Sequence, residues 1–153
     1  MNIEMILEKI LEKKDLFYVF IELPEFWEVR AEGLYGAVYN KNEKQAMIYF
    51  KDPIDLRLVE RVEWLNASKE VYKIDYYGNY GYAYCKAYLD EGKIVSKSYF
   101  SKAHEEKIQV NLSNGVVTVY DRGQVSRIYH SEEEFVEYYK SICEQVRYVD
   151  ICF

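Results

Sequence analysis

Tyr80, Tyr82, Tyr84, Lys86 and Tyr88 recur at every second position of one short stretch. In an extended strand successive side chains alternate between faces. This spacing therefore predicts a face of four phenols and one ammonium, with Gly81, Ala83, Cys85, Ala87 and Leu89 on the reverse. The chemistry such a face offers is recognition rather than bond making. Tyrosine presents a rigid ring at low entropic cost and a hydroxyl that can donate or accept. The plainer account is packing, since alternating Tyr also suits a half-buried strand covered by a helix or loop. Seven of the 17 tyrosines fall between residues 72 and 88, so the enrichment is local.

Other reactive side chains do not assemble into a site by spacing. His104 stands beside Glu105 and Glu106, and His130 lies two residues before Glu132–Glu134. Either could ligate a metal, yet a solvated His at the end of a strand or helix is the common case. Cys85, Cys143 and Cys152 show no Cys-x-x-Cys spacing, which reads as reduced thiols and not as a disulfide framework or zinc site. The Gly33–Gly36 and Gly78–Gly81 pairs lack the strand-to-helix context of a phosphate loop. No catalytic residue, cofactor site or metal site is nominated.

The elements that must position the tyrosines are mostly strands. Period-two patterning is expected to give strands at residues 16–22, 34–40, 45–51, 58–65, 70–77, 80–89, 94–100, 107–112, 116–120 and 124–130. Asn, Asp and Gly clusters separate them, as at Gly78-Asn79, Asp90-Glu91-Gly92 and Asp121-Arg122-Gly123. Two helices flank this region. Residues 2–14 repeat Ile3, Ile6, Leu7, Ile10 and Leu11 at helical spacing, with Asn2 as N-cap. Residues 131–146 open on a Ser131-x-x-Glu134 capping box and keep Phe135, Tyr138, Tyr139, Ile142, Cys143 and Val146 on one face. The expectation is a mainly β (α+β) fold: one domain over residues 1–153, an antiparallel meander at 16–130 with a helix near each terminus.

Composition fits that class. The chain has 153 residues, half of them hydrophobic, with 2 Pro and 7 Gly, enough apolar surface for one ordered domain. A net charge of -6 and no Lys/Arg block argue against nucleic acid and anionic membrane surfaces. The charged N-terminus lacks a signal-peptide core, which points to the cytoplasm.

The order of several motifs resembles a known family. Pro24-Glu25-Phe26-Trp27-Glu28-Val29 precedes Ala46-Met47-Ile48-Tyr49-Phe50 and Pro53, followed by Arg57, Val59 and Val62-Glu63-Trp64-Leu65. Asp75-Tyr76-Tyr77-Gly78-Asn79-Tyr80-Gly81, Ser98-Tyr99-Phe100, Asn111, Gly115, Gly123 and Glu134-Phe135 then follow in turn. Over residues 23–139 this succession resembles the extended β-sheet domain of the GtfB-type co-activator of accessory Sec system glycosyltransferases. Those enzymes modify serine-rich-repeat adhesins of Gram-positive bacteria.

The resemblance implies a non-catalytic domain that helps hold a serine/threonine-rich adhesin polypeptide. Its partner would be a catalytic glycosyltransferase subunit that binds UDP-N-acetylglucosamine. The alternative is a docking module that bridges to that subunit without touching acceptor. Any membrane association would come only through the parent complex. The nucleotide-binding-type halves of the family are missing from this sequence, so no donor-sugar residue is carried over. The chain would be an excised domain or a shortened natural relative. The acceptor-binding residues expected are Tyr80, Tyr82, Tyr84, Lys86 and Tyr88.

Overall fold

The computed structural model describes residues 2–145, and the side chains of Ile142 and Cys143 together with Val146 and Cys152 lie outside that description. Ten strands form one sheet in sequence order: β1 Glu28–Glu32, β2 Tyr35–Asn40, β3 Glu43–Phe50, β4 Val59–Leu65, β5 Val71–Tyr76, β6 Cys85–Asp90, β7 Lys93–Phe100, β8 Glu106–Asn111, β9 Val117–Asp121 and β10 Gln124–Tyr129. Helix α1 spans Ile3–Ile10 and helix α2 Glu132–Gln145. The expected mainly β meander with a helix near each end is the fold observed. Lys13–Ile94 forms one compact unit, and the described residues on either side of it form a second.

Local chemistry explains the helix starts. The Asn2 Oδ1 accepts the Met5 N–H at 2.9 Å, satisfying one orphan donor of α1. At α2, Ser131 Oγ accepts the Glu134 N–H at 3.1 Å. Glu134 reaches back one residue further than expected, to the His130 N–H at 2.7 Å. Within this unit Ile3, Ile6 and Leu7 of α1 and Phe135, Val136 and Tyr139 of α2 are buried, as are Tyr99, Ile108, Val110, Val117 and Tyr129. The register places Val110 opposite Val117, and Val117 opposite Tyr129, so these three share one face of the sheet. The Tyr99 hydroxyl donates to Glu4 of α1 at 3.1 Å.

In the Lys13–Ile94 unit the register sorts side chains by face. Val38 pairs with Ala46 and Ala46 with Trp64; Gly36 pairs with Ile48 and Ile48 with Val62. Val38, Ala46, Ile48 and Val62 are fully buried, under Leu16, Tyr18, Ile21, Leu23 and Trp27. We call this side the covered face. Gly36 is needed there because a Cβ would stand 3.1 Å from both Ile48 and Phe50 side chains.

Two expected strands change, and one strand forms where none was expected. Residues 16–22 make only a brief edge contact, with Val59 N–H bonding Leu16 C=O and Tyr18 N–H bonding Arg57 C=O. They then coil into a 3₁₀ turn at Tyr18–Phe20. An unbroken apolar run cannot place every side chain inward from a lone strand. The turn lets Tyr18 and Ile21 pack on the sheet and leaves Phe17, Val19 and Phe20 exposed. Conversely, Glu28–Glu32 is a strand that its Glu, Arg and Ala content did not announce. It forms by hairpin closure onto β2 through Gly33 at φ 65°. The strand expected at 80–89 is shortened to Cys85–Asp90. Gly78 and Gly81 hold positive φ, and Asn79 C=O accepts the Lys14 N–H at 2.7 Å, so residues 77–84 leave the ladder as a loop.

Candidate functional site

The expected five residues do not form one strand face. Tyr80, Tyr82 and Tyr84 lie in the loop before β6, and only Lys86 and Tyr88 belong to the strand. Lys86 stands opposite Asp75 and Tyr88 opposite Lys73. Through Asp75–Val62 and Lys73–Trp64 pairing, both share the covered side of the sheet. Tyr80 and Tyr84 pack edge to face at 4.7 Å. Gly78 leaves the space that Tyr84 uses, since a Cβ there would stand 3.2 Å from its ring. Burial pushes the Tyr82 phenol up to about 12. All five are half-buried. Alternation holds from Cys85 onward, where Cys85 and Ala87 are buried between the half-exposed Lys86 and Tyr88. It fails before Cys85, because Ala83 turns to the covered core.

The opposite face of the sheet carries a second tyrosine set, on β1–β5. Glu32 pairs with Tyr35, Tyr49 with Arg61, and Arg61 with Tyr76. Tyr35 and Tyr49 close the row with rings at 5.4 Å and near-perpendicular planes. A second row runs Arg30, Ala37, Met47, Glu63 and Ile74 in register. Tyr72 stands unpaired at the register shift between β4 and β5 and is exposed, as is Tyr35. The period-two signal was present at Tyr35-x-Ala37-x-Tyr39 and Arg61-x-Glu63. Which face stayed open depended on where residues 16–27 folded.

Charge on this open face is locked to the rings. The Arg61 guanidinium lies 3.9 Å over the Tyr49 ring, and its Nε donates to Glu63 at 2.8 Å. Burial, with Glu63 nearby, holds the Tyr49 phenol above its ordinary range, so it stays a neutral donor. Arg30 lies 4.2 Å over Tyr39 and bonds Glu28 at 2.8 Å. The Tyr39 hydroxyl donates to Glu32, which also takes Lys44 at 3.3 Å. The Tyr39 hydrogen bond, followed by Lys44, holds the Glu32 carboxyl below the usual carboxylate range. The result is a near-neutral aromatic surface. It can offer ring contact and hydroxyl hydrogen bonds to an extended polar ligand.

Among the described residues no group of three or more His, Cys, Asp or Glu is placed to hold an ion. His104 sits in the turn after β7 at φ 64°, while Glu106 accepts from Ser98 Oγ at 2.9 Å. No helix among the described residues is long and apolar enough to cross a membrane.

Comparison with known proteins adds the family. A family model described as the GtfB middle domain matches residues 27–130, the span of all ten strands. The chain is 27% identical over 131 residues to the stabilizing protein GtfB of the UDP-N-acetylglucosamine–peptide N-acetylglucosaminyltransferase of Streptococcus parasanguinis, covering 85% of this chain and 30% of that protein. The protein of the same name from Limosilactobacillus reuteri subsp. suis is 29% identical over 105 residues, 69% of this chain and 24% of its own length. This chain therefore spans less than a third of these relatives. A crystal structure of a GtfA/B complex bound to UDP and GlcNAc superposes at TM-score 0.76 and 22% identity, over 87% of this chain and 30% of that one. A structure of accessory secretory proteins 1, 2 and 3 of Streptococcus pneumoniae does so at 0.71 and 13%, over 89% and 28%. Both share the fold of the sheet. With the family model covering more than half of its length, this chain belongs to the GtfB middle-domain family.

Proposed function

We propose that this domain is the non-catalytic acceptor-binding module of a protein O-GlcNAc transferase complex. It works in the cytoplasm beside a catalytic glycosyltransferase subunit and holds a serine/threonine-rich adhesin polypeptide. The observation that carries this reading is the open face of β1–β5, where Tyr35, Tyr49 and Tyr76 are set in rows with Arg61. The names of the relatives, stabilizing proteins of a peptide-modifying transferase, support the class of complex and the non-catalytic role.

The physical fit is direct. A Ser/Thr-rich chain has few charges and no large apolar anchors. A near-neutral tyrosine surface meets it with many weak hydrogen bonds and ring contacts. Binding of this kind is weak at each site and gains from repeated acceptor motifs. The Tyr84 N–H bonds Tyr76 C=O at 3.1 Å and ties the Tyr80–Tyr84 loop to β5, whereas Lys86 and Tyr88 stand on the covered side, opposite this face.

The test is titration with a Ser-rich repeat peptide, followed by tyrosine ring resonances. Shifts at Tyr35, Tyr49 and Tyr76 support the open face. Shifts confined to Tyr82 and Tyr84, abolished by Tyr82→Ala with Tyr84→Ala, move the site to the loop. Co-purification with the catalytic subunit and no peptide response at any tyrosine selects the docking module instead.

A further inference from the structure

We propose that the acceptor segment is held by strand addition at the free edge of β1, with Phe26 closing one end of that site. This deepens the acceptor-binding reading and rests on it. Strand β1 ends the sheet, so one side of its backbone faces away from β2. Glu32 and Tyr35 flank the two-residue turn Gly33-Leu34. In such a hairpin the flanking pair exchanges both hydrogen bonds, and the pattern alternates from there. Glu32, Arg30 and Glu28 therefore bond inward, while Val29 and Ala31 present N–H and C=O outward.

Natural edges are guarded by free charges, prolines or bulges. This one has neither proline nor bulge, and its charges are held in pairs. The β1–β2 register runs unbroken through five pairs. Its three charged side chains share one face and are folded back onto the sheet, Arg30 on Glu28 and Tyr39, Glu32 on Tyr39 and Lys44. At the other end of the sheet, β10 is interrupted by a register shift between Val125 and Arg127. With its charges already paired, β1 gives a charged partner little to gain. An extended, uncharged, hydroxyl-bearing segment loses nothing there and gains main-chain hydrogen bonds. That is the chemistry of a Ser/Thr-rich polypeptide.

Phe26 supplies an independent observation. Trp27 N–H bonds Pro24 C=O at 3.2 Å, closing a turn in which Phe26 holds φ 70°. Glycine or asparagine is the ordinary occupant of that position. A phenyl ring held in strained backbone and left 88% exposed, two residues before β1, contributes nothing visible to packing. Strain retained without packing points to a contact made with a ligand. Trp27 anchors the turn, with its ring 6.4 Å from Trp64.

The experiment uses the 153-residue chain and two synthetic Ser/Thr repeat peptides, one unmodified and one N-methylated at alternate residues. Calorimetry and amide exchange are read together. The expected result is slowed exchange of the Val29 and Ala31 amides with the unmodified peptide, and binding weakened about tenfold or more by N-methylation. Ala31→Pro removes an outward donor while sparing the inward ladder. It is expected to weaken the peptide comparably and leave the thermal melt cooperative; Ala31→Thr, which keeps the donor, is expected to bind normally. If both peptides bind equally and β1 amides stay unprotected, strand addition is wrong and acceptor binding stands. If neither peptide binds, the acceptor reading itself fails. Protection of β1 that rises with protein concentration and needs no peptide would assign the edge to a second copy of this chain and overturn the proposal.

Discussion

Replacing Phe26 by asparagine should stabilise the isolated domain or leave it unchanged, the reverse of what removing an aromatic normally does. A left-handed backbone costs an ordinary L-residue about 1–2 kcal/mol, and asparagine relieves part of that through local hydrogen bonding. Against this stands the lost contact of the ring. A phenylalanine that is 88% exposed keeps only a small buried remnant. At roughly 25 cal/mol per Å² on about 25 Å², that remnant is worth about 0.6 kcal/mol. The balance is a gain of about 0–1 kcal/mol, or up to about 3 °C in Tm for a chain of this length. Urea unfolding at constant m-value measures it. Trp27→Ala is the contrasting variant, since that ring packs against the core. It should cost about 3 kcal/mol. A loss above about 1 kcal/mol for Phe26→Asn would show that the ring supports the fold. The case for a ligand contact at Phe26 would then collapse.

Two further outcomes follow from the two faces of the same strand. Ile48→Ala, on the covered face at zero exposure, should cost about 3 kcal/mol in urea unfolding, whereas Tyr49→Ala on the open face should cost about 1 kcal/mol. Equal costs would mean that both faces are covered. The raised Tyr82 phenol fixes a sign for alkaline pH. Its neutral form is favoured by burial in the folded state, so the stability it contributes is complete below about pH 10 and is lost as pH climbs toward about 12. Ultraviolet titration of phenolate should show several late-ionising tyrosines, Tyr77, Tyr49 and Tyr129 among them, and Tyr82→Phe should remove one from that late phase; an unchanged curve would refute its burial.

Much of the fold was legible because its determinants are local. Turn chemistry at Glu91-Gly92 and Arg122-Gly123, both pairs at positive φ, marks hairpins that need no distant partner to be recognised. The caps at Asn2 and Ser131 act within one helical turn. By contrast, β1 is strand only because β2 pairs with it, and residues 16–22 are not strand because the sheet face below them needed a cover. Propensity over a few residues carries neither fact.

The candidate site divides along the same line. Alternation at 80–88 correctly separated Lys86 and Tyr88 from Cys85 and Ala87, but Gly78, Gly81 and the Lys14–Asn79 bond drew Tyr80 and Tyr82 out of the ladder. The amino-acid order alone determined that strands, hairpin turns and capped helices would follow one another as a meander rich in tyrosine. Only the tertiary structure decided which tyrosines face outward. A strand's period of two creates two faces, and the choice between them was made by Tyr18, Ile21 and Trp27, which settle on Val38, Ile48 and Val62 from well outside those strands.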